Sequence, residues 1–318
     1  MNEALNLENT SHASIGLSGH LHQKGYKVKL PDIYEQYFLY LEHTREISRS
    51  QISDVKRVLA SLYGYLENHK LSLTALKIEH LDAFMGEFKV AKTTLRIYRY
   101  RVRGFLKYLY AERKIIKKDL ASLLVGAPLF AQKKPPKFLR PQDLQKLFSS
   151  LKLATSVDIR TYAMIHLAYA LGLRPIEISR ITLDHVSFTR GELSIRERKT
   201  KNPTILPLPK QTVRAIAAYV FKARPKTELR DLFLTHSRPH LPLRPGTVIC
   251  AIRRAMKEAG LSSSAYWLRH TYAQNLLLLG RTIYEIKEMM GHQNIQSTQR
   301  YLYIDTERMR KVLFNETL

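Results

Sequence analysis

Pro135 and Pro136 stand side by side in a lysine-bearing stretch, Ala127-Pro128-Leu129-Phe130-Ala131-Gln132-Lys133-Lys134-Pro135-Pro136-Lys137. Adjacent prolines remove two backbone donors and cannot continue a helix. The secondary structure on one side of the pair is therefore uncoupled from that on the other. Residues 128–139 read as an interdomain linker rather than a surface loop, because the two flanks differ in kind. Residues 28–127 hold few Gly or Pro and have a helical period, whereas residues 140–318 mix helical and strand patterns. Residues 1–27 are polar, lack the apolar core of a secretion signal, and read as a flexible lead. A chain of 318 residues with 45% apolar content can fill two cores of ordinary size.

In the first domain, apolar residues recur at helical spacing in Ile33-Tyr34-Tyr37-Leu41, in Val55-Val58-Leu59-Leu62-Tyr65-Leu66 and in Leu81-Phe84-Met85-Phe88. A fourth helix is expected from Thr93 to Lys114, with Thr93 or Thr94 as its cap. It carries Arg96, Arg99, Arg101, Arg103 and Lys107, interleaved with Tyr98, Tyr100, Phe105, Tyr108 and Tyr110. The expectation is that the aromatics pack inward and the cations face a nucleic-acid backbone, the bland reading being a solvated basic face.

The second domain opens with a helix at Pro141, a residue suited to the first turn, and a second from about Asp158 to Leu171. Alternating polar and apolar residues predict strands at Glu192–Arg196 and Thr204–Leu208, joined by the charged turn Arg198-Lys199-Thr200-Lys201-Asn202-Pro203. Further helices are expected near 211–222, 245–259, 264–279 and 283–290. The fold class expected is mainly α with one small antiparallel sheet in the second domain.

Charge narrows the partners. The net charge is +25, with 23 Lys and Arg against 13 Asp and Glu up to Lys137, and 29 against 14 beyond it. Both halves are basic, so a basic tail on a neutral enzyme is excluded, and a two-sided grip on a polyanion fits. The single cysteine, Cys250, excludes an internal disulfide and a cysteine-based zinc site, and reads as a small core residue. No run of apolar residues reaches the roughly 18 that a membrane span needs. The chain reads as a cytoplasmic protein associated with the nucleoid, without a membrane partner.

Four segments place basic or phenolic groups where a phosphate could meet them. Arg174 lies between Gly172, which ends a helix, and Pro175, which starts another; Glu177 stands at i+3, where its carboxylate can hold the guanidinium fork. Lys199 and Lys201 sit at a hairpin tip, and a lysine beside a phosphoester can protonate a departing oxygen. Arg269 falls in the first turns of a helix capped by Ser262, Ser263 or Ser264, with Tyr266 above it and His270 beside it. A cation at a helix N-terminus is unfavourable unless it meets an anion. His292 comes directly after the helix stop Gly291, and a further helix, capped by Ser297 and running from Thr298 to about Ile304, carries Tyr301. No carboxylate cluster offers to hold magnesium, so no metal and no cofactor is expected. Each motif alone has an ordinary structural reading: an Arg–Glu pair, a solvated turn, a surface arginine, a capping histidine, one tyrosine among 18. Trp267 and Leu268 read as core.

In order and spacing the set resembles the tyrosine recombinase, or phage integrase, family. Leu268-Arg269-His270-Thr271 is similar to the family's wording around its second arginine, and His292 precedes Tyr301 by the family's nine residues. The resemblance covers about residues 28–318. It implies a helical core-binding domain of the SAM-like type before the linker and a catalytic domain after it. It further implies that Tyr301 attacks a DNA phosphate to form a 3′-phosphotyrosyl bond and release a 5′-hydroxyl. Arg174 and Arg269 would then stabilise the phosphorane, Lys199 would act as general acid, and His292 would bind a nonbridging oxygen. Glu177, Tyr266 and His270 are possible supports, and Arg96, Arg99, Arg101, Arg103, Lys107 and Lys201 are expected DNA contacts. The partners implied are double-stranded DNA and further copies of the chain, a tetramer on two sites, with room for an accessory recombinase or directionality factor. Met309, Val312 and Leu313 would dock on a neighbouring copy.

One position departs from the family pattern: Tyr266 stands where the family usually has histidine. A phenol donates a hydrogen bond but does not shuttle protons near neutrality as imidazole does. Tyr303 is a second phenol close to Tyr301. A DNA-binding protein that has lost the chemistry and a type IB topoisomerase-like nicking-closing enzyme both remain open on these residues.

Overall fold

The computed structural model describes residues 29–126, 136–195 and 204–301. Lys199, Lys201, Tyr303, the residues after Tyr301, the N-terminal lead and most of the expected linker lie outside the described residues. The chain divides into two compact units, Met1–Ala131 and Gln132–Leu318. Among the described residues, no helix is long and apolar enough to cross a membrane.

Unit one is helical: α1 (Asp32–His43), α2 (Arg49–Asn68), α3 (Ile78–Gly86), α4 (Lys92–Lys107) and the short α5 (Leu120–Leu123). Ser48 caps α2, accepting from the Gln51 amide while Gln51 reaches back, so two orphan donors are satisfied at once. The core is aromatic at one end. Tyr34 stacks on Phe105 at 4.7 Å, and Tyr37, Tyr40 and Tyr108 pack at centroid separations of 5.1–6.4 Å. A Cβ at Gly104 would come 2.7 Å from the Tyr37 hydroxyl, so a side chain there would push that ring aside.

The fourth helix differs from its sequence reading in three ways. Its N-cap is Ala91, without a side-chain cap bond, so Thr93 and Thr94 lie inside the first turn. It passes into a single π turn at Tyr108–Glu112 instead of continuing as α-helix. Its aromatics do not all pack inward: Phe105 and Tyr108 are buried, but Tyr100 is 77% exposed and Tyr110 is exposed too. The phase explains it, because positions 100 and 110 lie off the face set by Val102, Phe105, Leu106 and Leu109.

Unit two packs α6 (Pro141–Ser150), α7 (Ser156–Ala170), α8 (Pro175–Ser179), α9 (Lys210–Lys222), α10 (Pro245–Glu258), α11 (Ala265–Leu278), α12 (Ile283–Met290) and α13 (Gln296–Gln299) with one antiparallel sheet. The sheet runs in the order β1 (Val186–Ser187), β2 (Glu192–Ile195), β3 (Thr204–Pro207), with Leu193 opposite both Val186 and Leu206. β1 is too short for an alternation to reveal it in the sequence. α7 is buried nearly all round, from Arg160 through Ala168, and forms the centre of the core. Its buried cation, Arg160, serves structure: Nη1 donates to the Leu234 carbonyl at 2.6 Å and stands 2.9 Å from His236 Nδ1. Leu139, the last residue of the expected linker, is instead buried in this core.

Two local expectations are corrected. Cys250 is exposed, because α10 turns Val248, Ile252, Ala255 and Met256 inward and position 250 falls on the opposite face. Ser297 does not cap the helix that precedes Tyr301. That helix is a single turn beginning two residues earlier than expected, capped at Ile295 without a side-chain bond, and Tyr301 comes after it instead of lying within it.

Candidate active site

Two helix ends and one helix start meet in unit two. α7 stops at Leu171, and Gly172 takes the left-handed conformation, φ +61°, that lets the chain turn sharply. Arg174 then caps α8, where Glu177 accepts the Arg174 amide at 2.7 Å with one carboxylate oxygen and the guanidinium Nη1 at 2.8 Å with the other. This pairing fixes the arginine's direction, as its i+3 spacing suggested.

The second stop is Gly291, φ 60°, after α12. The Gly291 and His292 amides close back onto Glu288 and Lys287, each at 3.0 Å. The carbonyls of Met290 and Gly291 then have no acceptor role inside the helix, and they form the negative end of its dipole. Both arginines use them. Arg174 donates to Met290 at 3.4 Å and to Gly291 at 3.2 Å, and Arg269 Nη2 donates to Met290 at 2.6 Å.

Arg269, on α11, is 4% exposed; its Nη1 also donates to the Gly172 carbonyl and lies 3.8 Å from Glu177. Glu177 thus neutralises one of two guanidiniums, leaving the cluster with excess positive charge suited to an anion. Arg174 is the more accessible of the two, at 23% side-chain exposure. Ser264 stands at the cap position of α11, but no side-chain cap bond forms. Tyr266, one turn before Arg269, is 45% exposed.

Tyr301 is buried, 6% exposed, in a satellite core with Ala273, Leu276, Leu277, Ile286 and Met290. His270 Nδ1 lies 2.7 Å from its hydroxyl. His292 bonds through Nδ1 to Thr298 at 2.8 Å, which holds its ring parallel to that of Tyr301, 3° between planes and 6.4 Å between centroids. Burial raises the phenol's pKa, against the pull of Arg269, Arg300 and Arg174. His270 is pushed down to about 4, by burial first and then by Arg300 and Arg269. Near neutrality both shifts favour a phenol that keeps its proton and an imidazole without charge.

The structure therefore brings together Arg174, Glu177, Arg269, His270, His292 and Tyr301, while Tyr266 faces outward and Lys199 and Lys201 lie outside the described residues. No sequence signal marks Thr298 as the partner of His292, or the three carbonyls that hold the arginines. On unit one, Arg101 pairs with Asp54 at 3.2 Å and Arg99 packs against Gly126. Arg96, Arg103 and Lys107 are exposed and share a stripe with Tyr100, a candidate contact residue that sequence reasoning missed.

A side chain at Gly172 would be strained by the positive φ and would run into the Tyr272 ring. Gly172→Ala is expected to lower stability by about 1–3 kcal/mol, read as a drop in denaturation midpoint. It should also weaken the seat of Arg269, which bonds the same residue's carbonyl.

The family model described as the phage integrase family matches residues 137–308. The chain belongs to this family of tyrosine recombinases. Enzymes of the family cleave and rejoin DNA in recombination. The chain is 29% identical over 287 residues to a putative integrase/recombinase, y4rA, of Sinorhizobium fredii, covering 87% of this chain and 68% of that one. It is 26% identical over 291 residues to tyrosine recombinase XerD of Yersinia pestis, covering 88% and 95%. Among solved structures, the XerH site-specific recombinase bound to palindromic difH substrate superposes with a TM-score of 0.70 at 17% identity, over 88% of this chain and 84% of that one. A lambda integrase dimer bound to a COC' core site gives 0.67 at 16% identity, over 86% and 77%. These likenesses place the fold, mostly helical with a small antiparallel sheet, in the integrase family.

Proposed function

We propose that this chain is a site-specific DNA recombinase that works through a 3′-phosphotyrosyl intermediate formed by Tyr301. The observation that carries the reading is the convergence of Arg174 and Arg269 on the Met290–Gly291 turn beside a buried Tyr301. In this reading the Tyr301 oxygen attacks a scissile phosphate, the two guanidiniums stabilise the charge of the phosphorane, and His292 binds a nonbridging oxygen. Lys199 protonates the departing 5′-oxygen. The covalent link conserves the ester's energy, so rejoining to a partner strand needs no nucleotide. Integration, transposition and resolution of DNA are all served by this chemistry.

The substrate is double-stranded DNA, and the working assembly is a tetramer on two sites. In support, the XerH neighbour is bound to its difH substrate and the lambda integrase neighbour to a core site. A nicked suicide substrate tests the reading. A covalent protein–DNA adduct with strand exchange supports it; adduct with relaxation but no exchange would mark a nicking-closing enzyme, and no adduct a DNA-binding protein.

Unit one, in this proposal, is a core-binding domain that contacts the duplex. Exposed Arg96, Arg103 and Lys107 are its phosphate contacts, with Tyr100 among them. Log affinity against log salt should have a slope of several units, on the order of 0.9 per phosphate neutralised. A chain beginning at Gln132, which keeps Leu139 in its core, should fold yet lose much of that affinity and slope. Equal affinity and equal slope for both lengths would remove unit one from the DNA interface.

A further inference from the structure

The proposed cleavage step leaves one proton without a destination. Tyr301 enters as a phenol and ends as an ester, so its proton must go to a base. Tyr266 offers no imidazole at this position, and it is 45% exposed whereas Tyr301 is buried. Two imidazole rings pack against the Tyr301 ring, those of His270 and His292. The Nδ1 of His292 is engaged with Thr298 at 2.8 Å, and its ring lies parallel to the tyrosine ring with centroids 6.4 Å apart. His270 is different, since its Nδ1 stands 2.7 Å from the Tyr301 hydroxyl with the ring planes tilted at 52°.

We infer that His270 is the general base of strand cleavage, taking the Tyr301 proton on Nδ1 as the tyrosine oxygen bonds to phosphorus. This rests on the assignment of Tyr301 as the nucleophile. The step balances within named groups. The phenolic O–H breaks as the O–P bond forms, and His270 becomes imidazolium. The P–O bond to the 5′-oxygen breaks, and the proton for that oxygen comes from Lys199. Rejoining runs the same steps backwards: the 5′-hydroxyl attacks, and His270 returns its proton to the departing phenolate.

The environment suits a base that acts late. Burial, with the charges of Arg300 and Arg269, favours a neutral, proton-accepting His270. A phosphodiester brought against Arg174 and Arg269 adds a negative charge to the same pocket, which offsets those cations and favours the imidazolium. Transfer before attack would be steeply uphill, because burial raises the phenol's pKa. As the O–P bond forms, the oxygen's hold on its proton collapses and transfer becomes downhill. Position 270 is one helical residue beyond Arg269, so α11 presents the phosphate's clamp and the nucleophile's base together.

The test uses the full-length chain and single-turnover cleavage of two substrates, ordinary DNA and DNA with sulfur as the 5′-bridging atom. Sulfur departs without a proton, so that substrate isolates events at the nucleophile. His270→Gln is expected to bind DNA normally and to cleave both substrates about a hundredfold or more slower. On the sulfur substrate the natural chain should be nearly flat from about pH 7 to about pH 9, while the variant climbs about tenfold per pH unit as hydroxide replaces the base. Full-rate cleavage by His270→Gln, or rescue of it by sulfur, would overturn the assignment, and faster cleavage would make the contact a restraint instead. Should the variant not fold, the natural chain decides alone: a log-linear climb across that range on the sulfur substrate excludes a histidine base. Failure of the natural chain to form any adduct through Tyr301 would instead remove the nucleophile assignment itself.

Discussion

Tyr301→Phe is expected to bind DNA as the natural chain does and to form no covalent adduct on nicked or bulged substrates. The substitution deletes one oxygen. The ring it leaves still fills the satellite core formed by Ala273, Leu276, Leu277, Ile286 and Met290, so the local packing is retained. The hydrogen bond to His270 Nδ1 is lost, leaving that imidazole without its partner at a cost of about 1–3 kcal/mol. That is too small to unfold a domain of ordinary stability. Loss of adduct with retained fold and affinity therefore isolates the nucleophile. The measurement is denaturing electrophoresis of end-labelled suicide DNA beside a binding isotherm. Adduct in normal yield would move the nucleophile elsewhere, Tyr303 being next in the sequence, although it does not share the nine-residue interval from His292.

The features legible in the sequence are those that local rules govern. The helical period locates the longer helices of both units, the fourth ending at Lys107 instead of Lys114, and gives no signal for the short α5. Gly172 and Gly291 mark stops because only glycine sits easily at φ near +60°, and Pro175 marks the start of α8. The pairing of Arg174 with Glu177 stems from an i+3 interval. The hidden features depend on long-range contact. Nothing near Arg101 announces Asp54, 47 residues earlier, as its ion-pair partner. Cys250 is a core residue by type, but the phase of α10 turns it outward. Tyr100 is core by type as well, and the phase of α4 exposes it in the same way.

The arginine seat illustrates the limit best. Sequence supplies the two arginines and the two glycines separately, with Arg174 and Gly291 lying 117 residues apart. Only folding shows that the second glycine's turn frees the carbonyls that both guanidiniums occupy. A main-chain seat has no residue type to be recognised by. It also binds each arginine through several bonds at once, so the guanidinium planes are set before any phosphate arrives. That pre-organisation is what electrostatic stabilisation of a phosphorane requires. Lysine at either position would keep the charge but could not make the same forked set of bonds.

Lys199→Ala should slow cleavage of ordinary DNA by about two to four orders of magnitude, the usual contribution of general acid catalysis. It should leave cleavage of a substrate with a 5′-bridging sulfur close to that of the natural chain. An alkoxide is a poor leaving group and needs a proton as the P–O bond breaks, whereas a thiolate departs unaided. Restoration by sulfur therefore identifies a lost acid and separates it from a lost phosphate contact, which would slow both substrates alike. Lys201 provides the internal comparison, being two positions along the same expected hairpin tip. Lys201→Ala should weaken binding modestly and show no preference for sulfur. If sulfur instead restores Lys201→Ala and not Lys199→Ala, the acid is Lys201; if it restores neither, the proton comes from outside this turn. The same substrate pair treats His270→Gln in the opposite way, since a base at the nucleophile is not relieved by a better leaving group. A chain in which sulfur restores the lysine variant and not the histidine variant would have its two protons assigned, one to each side of the phosphorus.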